Sequence, residues 1–216
     1  MPTANGLQLV NCKNYLESFR VSLPSPSLNS ADPAMSPPGR SSMLPYGRQT
    51  IEEDDIEAVV KVLRSDWLTT GPQVIEFEKA LARHCGVGHA VVVSNGTAAL
   101  HAAMHVIGIQ PGDEVIVPAI TFAATANAVV YCGGTPVFAD VCPDTLLIDS
   151  KDVEQRITER TRAVIAVDYA GQPCDYDALR LVAAKHSLTL VADACHALGA
   201  KDRSRPVGSL ADLSTF

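Results

Sequence analysis

No apolar run in this sequence approaches the roughly 20 residues that a membrane-spanning helix needs, and its start lacks the apolar core of a secretion signal. Positive charge is scarce as well. Seventeen Lys and Arg face 24 Asp and Glu, for a net charge of −7. Phosphate backbones require a basic face, so neither a nucleic-acid partner nor a membrane is expected. The six cysteines (Cys12, Cys85, Cys132, Cys142, Cys174 and Cys195) form no C-x-x-C pair. Scattered in this way they suit a reduced, cytoplasmic protein that uses cysteine as a small apolar residue. Cys195 and His196 are adjacent, so their side chains point apart. No second ligand cluster joins them, and a metal site is not expected. The G-x-G-x-x-G fingerprint of dinucleotide binding is missing, as is the G-K-[ST] of a Walker loop.

What is present is a globular composition. The 216 residues are 47% hydrophobic, enough for a substantial core. The first 42 residues stand apart: between Ser22 and Ser42, twelve of twenty-one positions are Ser or Pro, without periodicity. This segment reads as a disordered tail. Regular patterning begins near Met43. Thr50-Ile-Glu-Glu53 has the form of a capping box. Ile56, Val59, Val60 and Leu63 follow at the spacing of one helical face. Pro72 is placed to open a helix over 73–84. A strand is then expected at Ala90–Val93, a helix at Thr97–Ile107, a strand at Glu114–Val117 and a helix at Thr121–Tyr131. A strand at Pro136–Asp140, a helix at Lys151–Ile157, a strand at Ala163–Val167, a helix from Asp175 to His186 and a strand ending at Asp193 complete the series. Alternation of this kind predicts an α/β fold, a three-layer αβα arrangement around a mostly parallel sheet.

Chemistry-bearing residues collect where strands end. Leu188-Thr-Leu-Val-Ala-Asp193 is a buried apolar run closed by a carboxylate. In open α/β sheets, ligands bind outside the carboxyl ends of the strands, so Asp193 is placed to meet a cationic heterocycle. Ser94-Asn-Gly96-Thr97 lies where a strand gives way to a helix. Gly96 allows close backbone approach, Thr97 supplies a hydroxyl, and the first-turn amides can hold a phosphate. An ordinary Ser or Asn cap explains the same residues equally well. Phe122, at the next such junction, can stack on a planar ring, although a lone Phe at a helix start is more often core. Asp168 and Gln172 follow a third strand and can orient a ligand or hold their loop; for Asp168 a structural hydrogen bond is the stronger reading. His196 can reach a ring substituent or cap a helix. The remaining histidines read as surface or packing residues. Together, a phosphate cradle, a stacking aromatic and a carboxylate for a ring nitrogen meet the needs of pyridoxal phosphate, whose protonated ring is an electron sink.

With these residues in view, the chain from Met43 to Phe216 resembles the DegT/DnrJ/EryC1/StrS family of nucleotide-sugar aminotransferases, pyridoxal-phosphate enzymes of fold type I. The resemblance rests on Pro45-Tyr-Gly-Arg48, Leu68-Thr-Thr-Gly-Pro72, Ser94-Asn-Gly-Thr-Ala-Ala-Leu100, Pro111-Gly-Asp-Glu-Val115, Thr121-Phe122 and Asp193-Ala-Cys-His-Ala-Leu-Gly199, in that order. Leu44-Pro-Tyr-Gly-Arg-Gln49 and Cys195-His-Ala-Leu-Gly-Ala200 are most similar to the pseudaminic-acid branch. The resemblance implies that Gly96 and Thr97 bind the cofactor phosphate, Phe122 stacks on the pyridine ring, Asp193 pairs with the ring nitrogen, and His196 lies near the phenolic oxygen. It also implies a homodimer, and a reaction in which glutamate gives its amino group to a UDP-linked 4-keto-6-deoxy-N-acetylhexosamine.

One departure qualifies this. The family carries its Schiff-base lysine several residues after a Ser-Thr-Phe-like strand, and here Ser214-Thr215-Phe216 closes the sequence. Lys185 and Lys201 are not in matching positions. The expectation is an N-terminal part of the large domain, without that lysine or the small C-terminal domain, and inactive or very slow by itself. Family members with His in place of the lysine are sugar dehydratases, which is a second reading. A non-catalytic cofactor-binding fragment, or a decayed gene product, is a third.

Overall fold

In the computed structural model, residues 50–216 are described; the Ser/Pro-rich segment 1–42 lies outside them. Five parallel strands form one sheet. β1 is Glu114–Pro118, β2 Thr135–Ala139, β3 Thr161–Val167, β4 Thr189–Asp193 and β7 Leu213–Thr215, in the spatial order β2-β1-β3-β4-β7. A two-residue hairpin, β5 (Lys201–Asp202) with β6 (Arg205–Pro206), stands apart from it. The helices are α1 (Glu53–Leu63), α2 (Pro72–Cys85), α3 (Gly96–Ile107), α4 (Ala123–Tyr131), α5 (Ser150–Arg156) and α6 (Tyr176–His186).

Alternation along the strands explains the layers. Val115 and Val117 of β1, Ala163 and Ile165 of β3, and Val191 of β4 pack with Leu100 and Met104 of α3 and Val129 of α4. Their neighbours Ile116, Val164, Ala166, Leu190 and Ala192 face the opposite side, where Val153 of α5 and Leu179 and Ala183 of α6 cover them. Both faces are dry, which is why these strands read as continuous apolar runs rather than as alternating ones. Fully burying a side chain such as Ile165 contributes roughly 1.5–3 kcal/mol.

The connections place the site. From β1 the chain crosses through α4 to β2 on one flank; from β3 it crosses through α6 to β4 on the other. The winding reverses between β1 and β3, and at such a switch point the loops diverge and leave a crevice at the carboxyl ends of the strands. Register aligns those ends: Val167 of β3 lies beside Asp193 of β4, which lies beside Thr215 of β7.

Most helix boundaries fall within two residues of the sequence reading. Pro72 occupies the first turn of α2, and Asp175 caps α6 by accepting from the Ala178 amide. Two expectations are corrected. Thr50 is not the cap of a capping box, because α1 starts at Glu53, three residues further on. Ala90–Val93 is not a strand: no ladder partner lies beside it among the described residues, Val91 and Val93 are exposed, and the Val92 amide donates instead to Glu78 Oε1 at 3.0 Å. Apolar, β-branched residues give a strand only where a neighbour supplies the hydrogen bonds. In the same way, α1 carries its apolar stripe of Ile56, Val59 and Leu63 to solvent, with no buried residue.

Candidate functional site

Asp193 closes β4 and is 6% exposed. Its Oδ2 accepts a hydrogen bond from the Thr125 hydroxyl at 2.7 Å, while Oδ1 has only the Cys195 amide at 3.4 Å. Thr125 sits in the first turn of α4, next to Phe122 at the N-cap position of that helix. Phe122 is 75% exposed and projects at the mouth of a cleft rather than into the core. Of the two readings left open by the sequence, the core reading is therefore excluded.

Across the cleft, α3 begins at Gly96. Asn95 is the cap, its side-chain oxygen accepting from the Ala98 amide at 2.9 Å, which settles which residue caps the helix. The Ala99 amide bonds to the Asn95 carbonyl. That leaves the Gly96 and Thr97 amides, with the Thr97 hydroxyl, as the donors of the positive helix end. The cap leaves the terminus able to hold an anion, because it uses the Ala98 amide and not those of Gly96 and Thr97. At Gly96 a Cβ would stand 2.8 Å from Cys195 Sγ and 3.4 Å from the Phe216 carbonyl, so the close approach of α3 to the strand ends requires glycine.

The third wall is the loop after β3. Asp168 there is 1% exposed. Its Oδ1 accepts from the Cys174 amide and the Tyr176 hydroxyl, both at 2.9 Å, and holds the Tyr169–Gly171 turn against α6. Asp168 is a loop-holding residue, as its sequence context suggested; its Oδ2 has no hydrogen-bond partner. Burial raises its carboxyl above the ordinary value, with the neighbouring Asp193 charge adding to this. Gln172 caps the short turn through its backbone and does not line the cleft. Tyr169 does, with its ring 6.5 Å from that of His196. Gly171, at φ +86°, lets the turn pass under the His196 carbonyl, which a Cβ would approach to 3.0 Å.

These walls enclose about 250 Å³, lined chiefly by Gly96, Thr97, Phe122, Asp193, Cys195 and His196. The five residues that the resemblance assigns to the cofactor (Gly96, Thr97, Phe122, Asp193 and His196) meet there, although they come from three segments far apart in the sequence, two of them following β1 and β4 and one opening α3. The volume suits one substituted ring with its phosphate and is below the ~300–1,000 Å³ typical of larger ligands. A larger hollow of about 460 Å³ lies at the opposite edge of the sheet, beside Thr161, Arg162 and Leu188, and holds none of these residues.

Charge distinguishes the cleft. Among the described residues no Lys or Arg forms an ion pair with Asp193 or Asp168, and no lysine lines the cleft. The Cys195 thiol is pushed up to about 12, mainly by burial and then by the Asp193 charge, so it is neutral and a poor nucleophile. A nearly buried carboxylate without a protein cation calls for a cationic ligand group, and the α3 terminus calls for an anionic one. Pyridoxal phosphate carries both, a protonated ring nitrogen and a phosphate, joined by a flat ring for Phe122. The residues present fit it. Sequence reasoning missed Thr125. The signal was there in the i, i+4 spacing of Thr121 and Thr125, which brings the hydroxyl just before the helix onto the one in its first turn.

Comparison with known proteins agrees with this fit. The model of the DegT/DnrJ/EryC1/StrS aminotransferase family matches residues 49–216. The UDP-4-amino-4-deoxy-L-arabinose–oxoglutarate aminotransferase of Shewanella sediminis is 44% identical over 168 residues, covering 78% of this chain and 43% of the relative. A candidate sugar aminotransferase from Streptococcus pneumoniae, solved in PLP and PMP forms, superposes with a TM-score of 0.77 at 38% identity, over 79% of this chain and 47% of that one. The Helicobacter pylori aminotransferase PseC, involved in pseudaminic acid biosynthesis, gives 0.75 at 36% identity, over 79% and 46%. The chain thus spans just under half the length of each of these proteins.

Proposed function

Because the chain belongs to the DegT/DnrJ/EryC1/StrS aminotransferase family, we propose that it is the cofactor-binding part of a nucleotide-sugar aminotransferase. The proposed cofactor is pyridoxal phosphate, the amino donor glutamate, and the acceptor the 4-keto group of a UDP-linked 6-deoxy-N-acetylhexosamine. The observation that carries this reading is the convergence, at one sheet edge, of an unpaired carboxylate, an exposed aromatic and a free helix terminus. The sugar assignment draws on the 44% identity to an aminotransferase of a UDP-sugar and on the likeness to PseC. We place the activity in a cytoplasmic homodimer, as the motif resemblance implies.

When bound, the cofactor supplies an electron sink that stabilises negative charge at the carbon bearing the amino group. The chain's own residues hold it for that task. The Gly96 and Thr97 amides, with the Thr97 hydroxyl, take the phosphate at the positive end of α3. Phe122 covers one ring face. Asp193 Oδ1 would hold the proton on the ring nitrogen, and His196, which lines the same cleft, would lie near the phenolic oxygen. The neutral Cys195 thiol adds no further charge to the cleft.

Equilibrium binding of pyridoxamine phosphate to the purified chain tests this reading. Saturable binding, competed by pyridoxal phosphate and weakened by Asp193→Asn, is expected. Absence of binding, or binding indifferent to Asp193, overturns it.

A further inference from the structure

Asp193 cannot do its work from its own strand alone. A carboxyl group at the end of a side chain has a broad, nearly two-fold preference for its last torsion. With one weak contact from the Cys195 amide two residues on, it could turn either oxygen, or neither, toward the cleft. Thr125 removes that freedom. It is fully buried, comes from another element 68 residues earlier, and places its Oγ1 2.7 Å from Asp193 Oδ2. The Thr121 hydroxyl lies 2.7 Å behind it.

The protons in this chain can have only one order. An ionised carboxylate accepts and cannot donate, so Thr125 must give its single hydroxyl proton to Asp193. The Thr125 oxygen is then an acceptor, and Thr121 donates to it in preference to the Phe122 carbonyl at 3.3 Å. The charge-assisted Thr125 bond is the strong member, and the Thr121 bond polarises it further. The same helix carries Phe122, so one side-chain contact fixes the ring clamp and the ring-nitrogen partner relative to each other.

We propose that Thr125 is the positioning residue for cofactor protonation: supported by Thr121, it locks Asp193 Oδ2 and leaves Oδ1 as the one oxygen presented to the ring nitrogen. This rests on the pyridoxal-phosphate reading given above.

Pyridoxamine phosphate labelled with 15N in the ring, bound to the purified chain, is the probe. Its affinity is measured together with the pH at which the bound ring nitrogen loses its proton, which a merely structural role of Thr125 would not move. Thr125→Val, which keeps the shape, should weaken binding about tenfold, the scale of one hydrogen bond to a charged group. It should also lower the pH of deprotonation. Thr125→Ser should restore both. Thr121→Val should shift both in the same direction by less. An unchanged titration in Thr125→Val, in a background where Asp193→Asn abolishes ring protonation, overturns the role of Thr125 and leaves the cofactor reading intact. If wild type and Asp193→Asn titrate alike, the cofactor reading fails and the inference falls with it. Should Thr125→Val not fold, Thr121→Val decides: a lowered titration supports the inference and an unchanged one overturns it.

Discussion

The two edges of the sheet treat their carboxylates in opposite ways. At the amino edge, Asp113 and Glu114 enter β1 each tied to an arginine. Arg162 Nε is 3.0 Å from Asp113, and Arg160 together with the Thr158 hydroxyl grips Glu114. At the carboxyl edge, Asp168 and Asp193 leave β3 and β4 as buried as the first pair, but with hydroxyls, a thiol and amides around them and no cation. The first edge is complete in itself. The second is electrostatically incomplete, and an incomplete edge at a switch point is where a ligand belongs. Removing a carboxylate should therefore do different things at the two edges.

The largest effect is expected at Asp193. Asp193→Asn removes the partner of a cationic ring nitrogen, and binding of pyridoxamine phosphate should weaken ~10–100-fold, the scale of a lost charged hydrogen bond. Thermal unfolding of the ligand-free variant should change little; a large loss of stability there would make Asp193 structural. Next in size is Glu114→Gln, which should cost about 1 kcal/mol of stability in denaturant titrations while leaving cofactor affinity untouched.

Acid titration separates the edges by sign. Hydrogen bonds from Thr158 and Arg160 hold Glu114 below its ordinary value of 4.5, so its contribution is present above that pH and is lost on acidification through the lowered value. Burial raises Asp168 above its ordinary 3.8, so the folded state there binds more protons than the unfolded one, and stability is lost as pH rises from about 3.8 through the raised value. Asp168→Asn should flatten this second slope in chemical denaturation measured from pH 4 to 7. An unchanged slope would mean that Asp168 is not the group responsible. The smallest effect is Phe122→Ala. Because this ring is exposed, stability should move by less than about 0.5 kcal/mol, while cofactor affinity falls a few-fold, as loss of a stacking contact of ~1 kcal/mol requires.

The sequence reveals the interior of this fold more readily than its edges. Strands buried on both faces are unbroken apolar runs, and β1, β3 and β4 were legible for that reason. A cap at Ser94 or Asn95, the Pro72 start and the terminal Asp193 were equally visible, because each is a local feature. What depends on a neighbour was not. Ala90–Val93 has the composition of a strand and no ladder partner beside it; β7 is three residues long and is a strand through its pairing with β4. Thr125 belongs to the same class. Its tie to Asp193 spans 68 residues, and only the fold brings them together. Phe122 marks the limit of composition: an aromatic at a helix start is usually core, and only the geometry of the crevice shows it exposed.

The central claim is that Asp193 leaves the strands to hold a proton on a ring nitrogen. The direct measurement is the 15N shift of ring-labelled pyridoxamine phosphate bound to the wild-type chain, followed across pH. The account predicts that the bound nitrogen stays protonated at a pH where the free compound has lost its proton, and that Asp193→Asn abolishes this difference. A bound nitrogen that titrates like the free one in the wild-type chain would contradict it.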